Sequence, residues 1–174
     1  QRYPEARLTF EFPDSWKICR PGESFYYTNG FQSFCGGSKE TDFLAFDPDN
    51  GRLWLLEVKD YSVNNRTKPL PIHDEVALKV RDTLALLSAS MSNDHTPSAS
   101  GQTQVGDFGR AIAVPTSMGV VLHCEHQPAG SKLFPSATHL ASIQQKLRIA
   151  FKNVISEVKV TCSGRYAGLA WNVT

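Results

Sequence analysis

Between two apolar runs in the first third of the chain lies Pro48-Asp49-Asn50-Gly51, where each residue favours a turn for its own reason. Thr41–Asp47 (TDFLAFD) precedes it and Arg52–Asp60 (RLWLLEVKD) follows, and both read as strands. An antiparallel hairpin is the fold this pattern dictates. If those four residues form the loop, Asp47 faces Arg52 and, counting outwards, Asp42 faces Glu57. Residues two apart on a strand share a face, so Asp42, Glu57 and Lys59 point the same way. Two carboxylates opposed across a hairpin sit roughly 5 Å apart at Cβ and repel. A divalent cation between them is the natural compensation. A five-residue loop, Asp47–Gly51, would slip the pairing by one and move Asp42 to the other face, unless a bulge restored it.

Leu8–Phe12 alternates as a half-buried strand does, and Pro13-Asp14-Ser15 ends it. Trp16–Phe34, rich in aromatics, reads as a short strand followed by an irregular segment or short helix. After a polar connection, Ile72, Val76, Val80, Leu84, Leu87 and Met91 recur at helical steps, predicting a helix from about Ile72 to about Met91 with Pro71 at its start. Ser92–Gln104 reads as a surface loop and Val120–Cys124 as a core strand. Gln127–Pro135 reads as a loop. Ser136 or Thr138 can cap a helix that reaches about Asn153, with Leu140, Ile143, Leu147 and Phe151 on one face. Glu157–Cys162 and Leu169–Val173 look like final strands. This order predicts one α/β (α+β) domain over residues 1–174, with a mixed central sheet flanked by helices.

Asp42 followed by Glu57-Val58-Lys59 on a hairpin, with an amphipathic helix after it, resembles the PD-(D/E)xK nuclease superfamily. The resemblance runs from Asp42 to about Leu87. It implies a restriction-endonuclease-like core and a metal-dependent nuclease, a DNA endonuclease first. Asp42, Glu57 and the backbone carbonyl of Val58 would hold Mg²⁺ or Mn²⁺, hard cations that prefer oxygen ligands. Lys59 would position or help deprotonate the attacking water and offset transition-state charge. The residue before Asp42 is Thr41 rather than Pro. Many members also carry an acid on a helix before the hairpin; none is evident here, and Glu23 is the best candidate by position. Glu40 lies two residues before Asp42 and is a possible further ligand. Lys79 is the residue of the following helix that best matches the family's basic or amide position. Two literal Pro-Asp pairs, Pro13-Asp14 and Pro48-Asp49, are better read as turns.

Lys146, Arg148 and Lys152 decorate the last helix as phosphate contacts or as an ordinary solvated face. His123-Cys124-Glu125-His126 lacks a second pair at zinc spacing and reads as a strand end. Formal net charge is +1, which argues against a large basic field. Residues 1–60 hold 7 Lys+Arg and 10 Asp+Glu, and the remainder 11 and 7, a pattern equally compatible with chance and with a metal-holding and a phosphate-gripping part. Four scattered cysteines, no signal-peptide pattern and no bilayer-length apolar run predict a reduced, cytoplasmic protein away from membranes. The expected partner is nucleic acid, DNA before RNA, and a homodimer or larger complex is compatible. Two alternatives stay open: a non-catalytic nucleic-acid-binding or regulatory module that keeps the nuclease fold, and an RNA-cleaving effector.

Overall fold

The computed structural model describes residues 1–64, 66–94, 103–112, 114–126, 137–163 and 168–174. The chain opens with an antiparallel hairpin, β1 (Arg2–Glu5) and β2 (Leu8–Glu11). β3 (Lys17–Cys19) follows, then a 3-10 turn at Pro21–Glu23, α1 (Phe25–Thr28) and a kinked 3-10 segment at Phe31–Gly36. The predicted hairpin is β4 (Phe43–Asp47) and β5 (Arg52–Tyr61). α2 (Ile72–Asn93) and α3 (Val105–Ala111) lead to β6 (Ser117–His126), and α4 (Ala137–Ala150) leads to β7 (Glu157–Thr161). β8 (Asn172–Val173) returns to pair with β2.

The central sheet has the order β3-β4-β5-β6-β7. Its first three strands are antiparallel and its last three parallel. The change occurs at β5 because a four-residue turn can return only an antiparallel neighbour, whereas the parallel neighbours need the helical crossovers that follow. The fold is thus a mixed α/β domain around a mixed five-stranded sheet, as its pattern predicted.

The register is that of a four-residue loop: Asp47 pairs with Arg52 and Phe43 with Leu56. Asp47 locks the turn, its Oδ1 accepting from the Asp49 and Asn50 amides at 3.1 and 3.3 Å. Gly51 takes φ +59°, and a Cβ there would lie 2.9 Å from Thr116 Oγ1. Strand β4 begins at Phe43 rather than Thr41, for a local reason. The Thr41 amide donates to Thr83 Oγ1 on α2 at 2.8 Å, and Asp42 Oδ2 accepts the Val58 amide at 2.6 Å. The side chain of Asp42 thereby takes over a contact that a backbone ladder would otherwise make.

Alternation sorts β5 between two cores. Leu53 and Leu55 pack with Leu44, Phe46, Val120 and Leu122 against Ile72, Val76 and Val80 of α2 and Leu147 of α4. Trp54, Leu56 and Val58 pack with Phe43 and Val121 against Phe10, Phe12, Trp16 and Trp171. Helices therefore cover one face of the sheet, and the β1-β2-β8 sheet covers the other. Trp54 fills the space above Gly119, where a Cβ would meet its ring at 2.3 Å.

Several boundaries differ from expectation. β6 is longer than Val120–Cys124, and α4 ends at Ala150 with a turn after it, although Leu140, Ile143, Leu147 and Phe151 are buried as predicted. The final strand shrinks to Asn172–Val173. Two elements were unforeseen, β1 and α3. The expected loop at 127–135 and the cap at Ser136 lie outside the described residues, as does most of the loop expected at 92–104. Cys19, Cys35 and Cys124 are free thiols. Among the described residues no helix is long and apolar enough to cross a membrane.

Candidate functional site

On the helix face of β5 the sequence of apolar residues ends abruptly. After Leu53 and Leu55 the next residue on that face is Glu57, which is 0% exposed. A carboxylate so placed is costly unless cations meet it. Lys59, two residues along the strand, brings its Nζ to 2.6 Å from Glu57 Oε1, and Lys79 of α2 brings its Nζ to 2.7 Å from the same oxygen. These contacts are ion pairs without hydrogen-bond geometry, and Oε2 has no hydrogen-bond partner. Burial pushes the Glu57 carboxyl up to about 7, the charge of Asp42 adds to the shift, and Lys79 and Lys59 oppose it. Two lysines thus supply compensation that the sequence reasoning assigned to a divalent cation.

Glu75, one turn into α2, is the second centre of this cluster. Its carboxylate meets Lys68 and Arg66 at 2.7 Å and Lys59 at 3.2 Å. Burial alone would raise its pKa, but hydrogen bonds and charge from Lys68 and Lys59 hold it down at about 2. Burial pulls the Lys59 ammonium down, yet Glu57 and Glu75 outweigh it and hold its pKa above the usual lysine value. Lys59 is therefore a standing cation and hydrogen-bond donor at neutral pH, which suits positioning and charge stabilisation rather than deprotonation of water.

The remaining expected residues spread around this core. Asp42 is half-buried at the start of β4, bound to the Val58 amide. Glu5 of β1 reaches the same region: burial raises its pKa, Asp42 raises it further, and Arg20 and Lys79 oppose. Arg20 pairs with Glu5 and, at 2.7 Å, with Glu23. Glu23 itself is exposed on the 3-10 turn. Glu40 lies against Gly22, whose Cβ would stand 2.8 Å from Oε1, while the Tyr27 hydroxyl donates to the Ser38 carbonyl at 3.0 Å. Lys146, Arg148 and Lys152 are exposed on and just beyond α4.

Asp42, Glu57 and the Val58 carbonyl offer a hard divalent cation only oxygen donors. The buried, unpartnered Glu57 Oε2 is the observation that fits such an ion. Among the described residues no group of three or more His, Cys, Asp or Glu side chains is placed to hold a metal ion.

A second buried polar cluster lies on the aromatic side of the sheet. His123, fully buried, meets Glu125 Oε1 through Nε2 at 2.8 Å and Thr161 Oγ1 through Nδ1 at 3.3 Å. The Ser163 amide donates to the same Glu125 oxygen at 2.6 Å. As expected, His123 and Glu125 share a face, and Cys124 between them packs in the core on the other.

Sequence reasoning missed Glu75, Arg66, Glu5 and Arg20. One signal was readable: Glu75 sits between Ile72 and Val76 at the edge of the apolar stripe, four residues before Lys79, which places both on one helix face. Nothing in the sequence marks Glu5.

No family model matches the chain, and no solved structure matches it. A curated protein similar to part of it is the cysteine–tRNA ligase of Neisseria meningitidis serogroup A / serotype 4A, 29% identical over 171 aligned residues that cover 80% of this chain and 23% of that protein. The matched region is about a quarter of the ligase's length.

Proposed function

We propose that the chain is a metal-dependent nuclease with a restriction-endonuclease-like core, hydrolysing phosphodiester bonds in nucleic acid, with DNA as the first substrate to test. The observation that carries this reading is Glu57: a fully buried carboxylate with an unpartnered oxygen, between two lysines and just beyond the last pair of the hairpin, as is Asp42. Asp42, Glu57 and the Val58 carbonyl would hold Mg²⁺ or Mn²⁺, which supplies Lewis-acid polarisation of the phosphoryl group and a more acidic bound water. Lys59, kept charged by Glu57 and Glu75, orients the water and donates to a phosphoryl oxygen as charge develops. Lys79 balances Glu57 from the helix side. Water adds to phosphorus, and the leaving sugar oxygen departs protonated.

The test is cleavage of a panel of single- and double-stranded DNA and RNA with Mg²⁺, Mn²⁺ or EDTA. Asp42→Ala, Glu57→Gln and Lys59→Ala should each lower the rate by about 10²-fold or more with the fold retained by circular dichroism. A metal-dependent rate that survives Glu57→Gln would refute the assignment. A second reading, an RNA-directed nuclease or a non-catalytic RNA-binding module, is favoured by the partial similarity to a protein named as a tRNA ligase. RNA cut in preference to DNA supports the first form of it. RNA binding without cleavage supports the second.

A further inference from the structure

Next to the Glu57 cluster is a cavity of about 330 Å³ between the connection that enters α2 and the exposed side of α4. Its titratable lining residues are Arg66, Lys68, His73, His139 and Lys146, with no Asp or Glu among the described residues that line it. Arg66 forms its inner wall and is almost wholly buried. One Nη donates to Glu75 and to the Leu70 carbonyl, at 2.7 and 2.6 Å, and the other donates to the Lys68 carbonyl. Arg66 Nε, also buried, has no acceptor. A buried guanidinium donor without a partner is expensive, and here it belongs to a residue lining a cavity whose other charged groups are cations or histidines. Lys68 is 56% exposed, and Lys146 stands on the opposite wall. Arg148 of α4 and Lys152 just beyond it do not line the cavity.

We propose that this cavity seats a phosphodiester of the nucleic-acid strand, a phosphate other than the one cleaved, with Arg66, Lys68 and Lys146 as its donors. The inference rests on the nucleic-acid reading above and names where the strand is gripped. Glu75 joins the two places: it holds Arg66 and Lys68 on the cavity side and Lys59 on the Glu57 side. Arg suits phosphate through its fixed fork of donors, and Lys adds mobile charge.

The test is fluorescence anisotropy with a labelled DNA or RNA oligonucleotide and the full chain in EDTA, so that nothing is cut, across a KCl series. The Lys68→Gln/Lys146→Gln double variant should bind about tenfold more weakly, with a salt slope shallower by about 0.7–0.9 for the loss of one neutralised phosphate. Arg148→Gln/Lys152→Gln should stay within about twofold of the unaltered chain. Both pairs remove two exposed charges, so equal losses from the two would overturn the site, as would no loss from the first or no binding by the unaltered chain. Inorganic phosphate, added against a chloride control of equal ionic strength, separates the sources of the anion. Unchanged affinity supports a diester within a strand, whereas displacement assigns the cavity to free or terminal phosphate and overturns the strand assignment. If the first pair weakens binding but no substrate is cut with either metal, the nuclease reading falls and this site stands. If cleavage is metal-dependent and the first pair changes nothing, the reverse holds.

Discussion

The two buried polar clusters of this domain sit on opposite faces of one sheet and are built in opposite ways. Around His123 every named polar group has found its counterpart: both ring nitrogens, the Glu125 carboxylate, the Thr161 hydroxyl and the Ser163 amide. Around Glu57 and Glu75 there is an excess of cations, and yet Glu57 Oε1, Glu57 Oε2 and Arg66 Nε lack hydrogen-bond partners. These are the only buried side-chain atoms of that kind among the described residues, and all three lie in one cluster. A closed network behaves as part of the core, whereas one with orphaned atoms keeps capacity for something that binds. The aromatic face is finished, and the helix face is not.

That contrast is open to four tests, from the largest effect to the smallest. Glu75→Ala removes the carboxylate shared by Lys59, Arg66 and Lys68, and should destabilise the fold by about 3–5 kcal/mol at neutral pH, measured by urea unfolding. Because the folded pKa is held at about 2, below the ordinary 4.5, the stabilisation is complete above 4.5 and is lost as pH falls towards 2. The gap between variant and unaltered chain should close over that window, and a constant gap would mean that Glu75 works through packing instead.

Glu125→Gln should cost about 2 kcal/mol, because it weakens two hydrogen bonds to a charged acceptor, and should leave nucleic-acid binding unchanged. A matching loss of binding would dissolve the distinction between the clusters. Glu57→Gln should do the opposite to stability. A carboxyl whose folded pKa is raised from 4.5 to about 7 makes the fold less stable as pH climbs through that interval. Relative to the unaltered chain, the Gln variant should therefore gain about 1–2 kcal/mol between pH 5 and pH 8. A relative loss over the same range would show that the lysine pairs outweigh burial. Thr83→Ala, which leaves the buried Thr41 amide without its acceptor, should cost about 1 kcal/mol and reduce cleavage if Asp42 shifts. Unaltered activity at reduced stability would confine that contact to the fold.

How much of this was legible in the chain depends on how local the determining interactions are. The register of β4 and β5 was readable because Pro48–Gly51 is a self-contained turn, and the pairing ends at Phe43 and Leu56, one step short of Asp42 and Glu57. Lys79 was readable as a helix residue of interest, although not as a direct partner of Glu57. Glu75 looked like an ordinary helical charge; only the approach of Lys59 from β5 and of Arg66 from the connection makes it a hub. Glu5 is brought to Asp42 by pairing with β2, a contact no spacing rule anticipates, and Pro4 in β1 masked the strand. α3 escaped notice because Gly106 and Gly109 spoil its helical pattern. A Cβ at either would come within 2.8 Å of α2 or its C-cap, so these glycines allow the two helices to approach closely. Compensation of Glu57 by lysines was underweighted for the same reason: cross-strand repulsion is a local inference, and its remedy came from a helix more than twenty residues away.

The bond from the Thr41 amide to Thr83 has a mechanical side. Thr83 Oγ1 accepts from Thr41 and donates to the Lys79 carbonyl, Lys79 reaches Glu57, and the amide of the next residue, Val58, donates to Asp42, the neighbour of Thr41. These contacts close a ring through three elements of structure. Were a strand to seat in the adjacent cavity as proposed, a push on α2 would reach both carboxylates through this ring, and grip and alignment would become one motion.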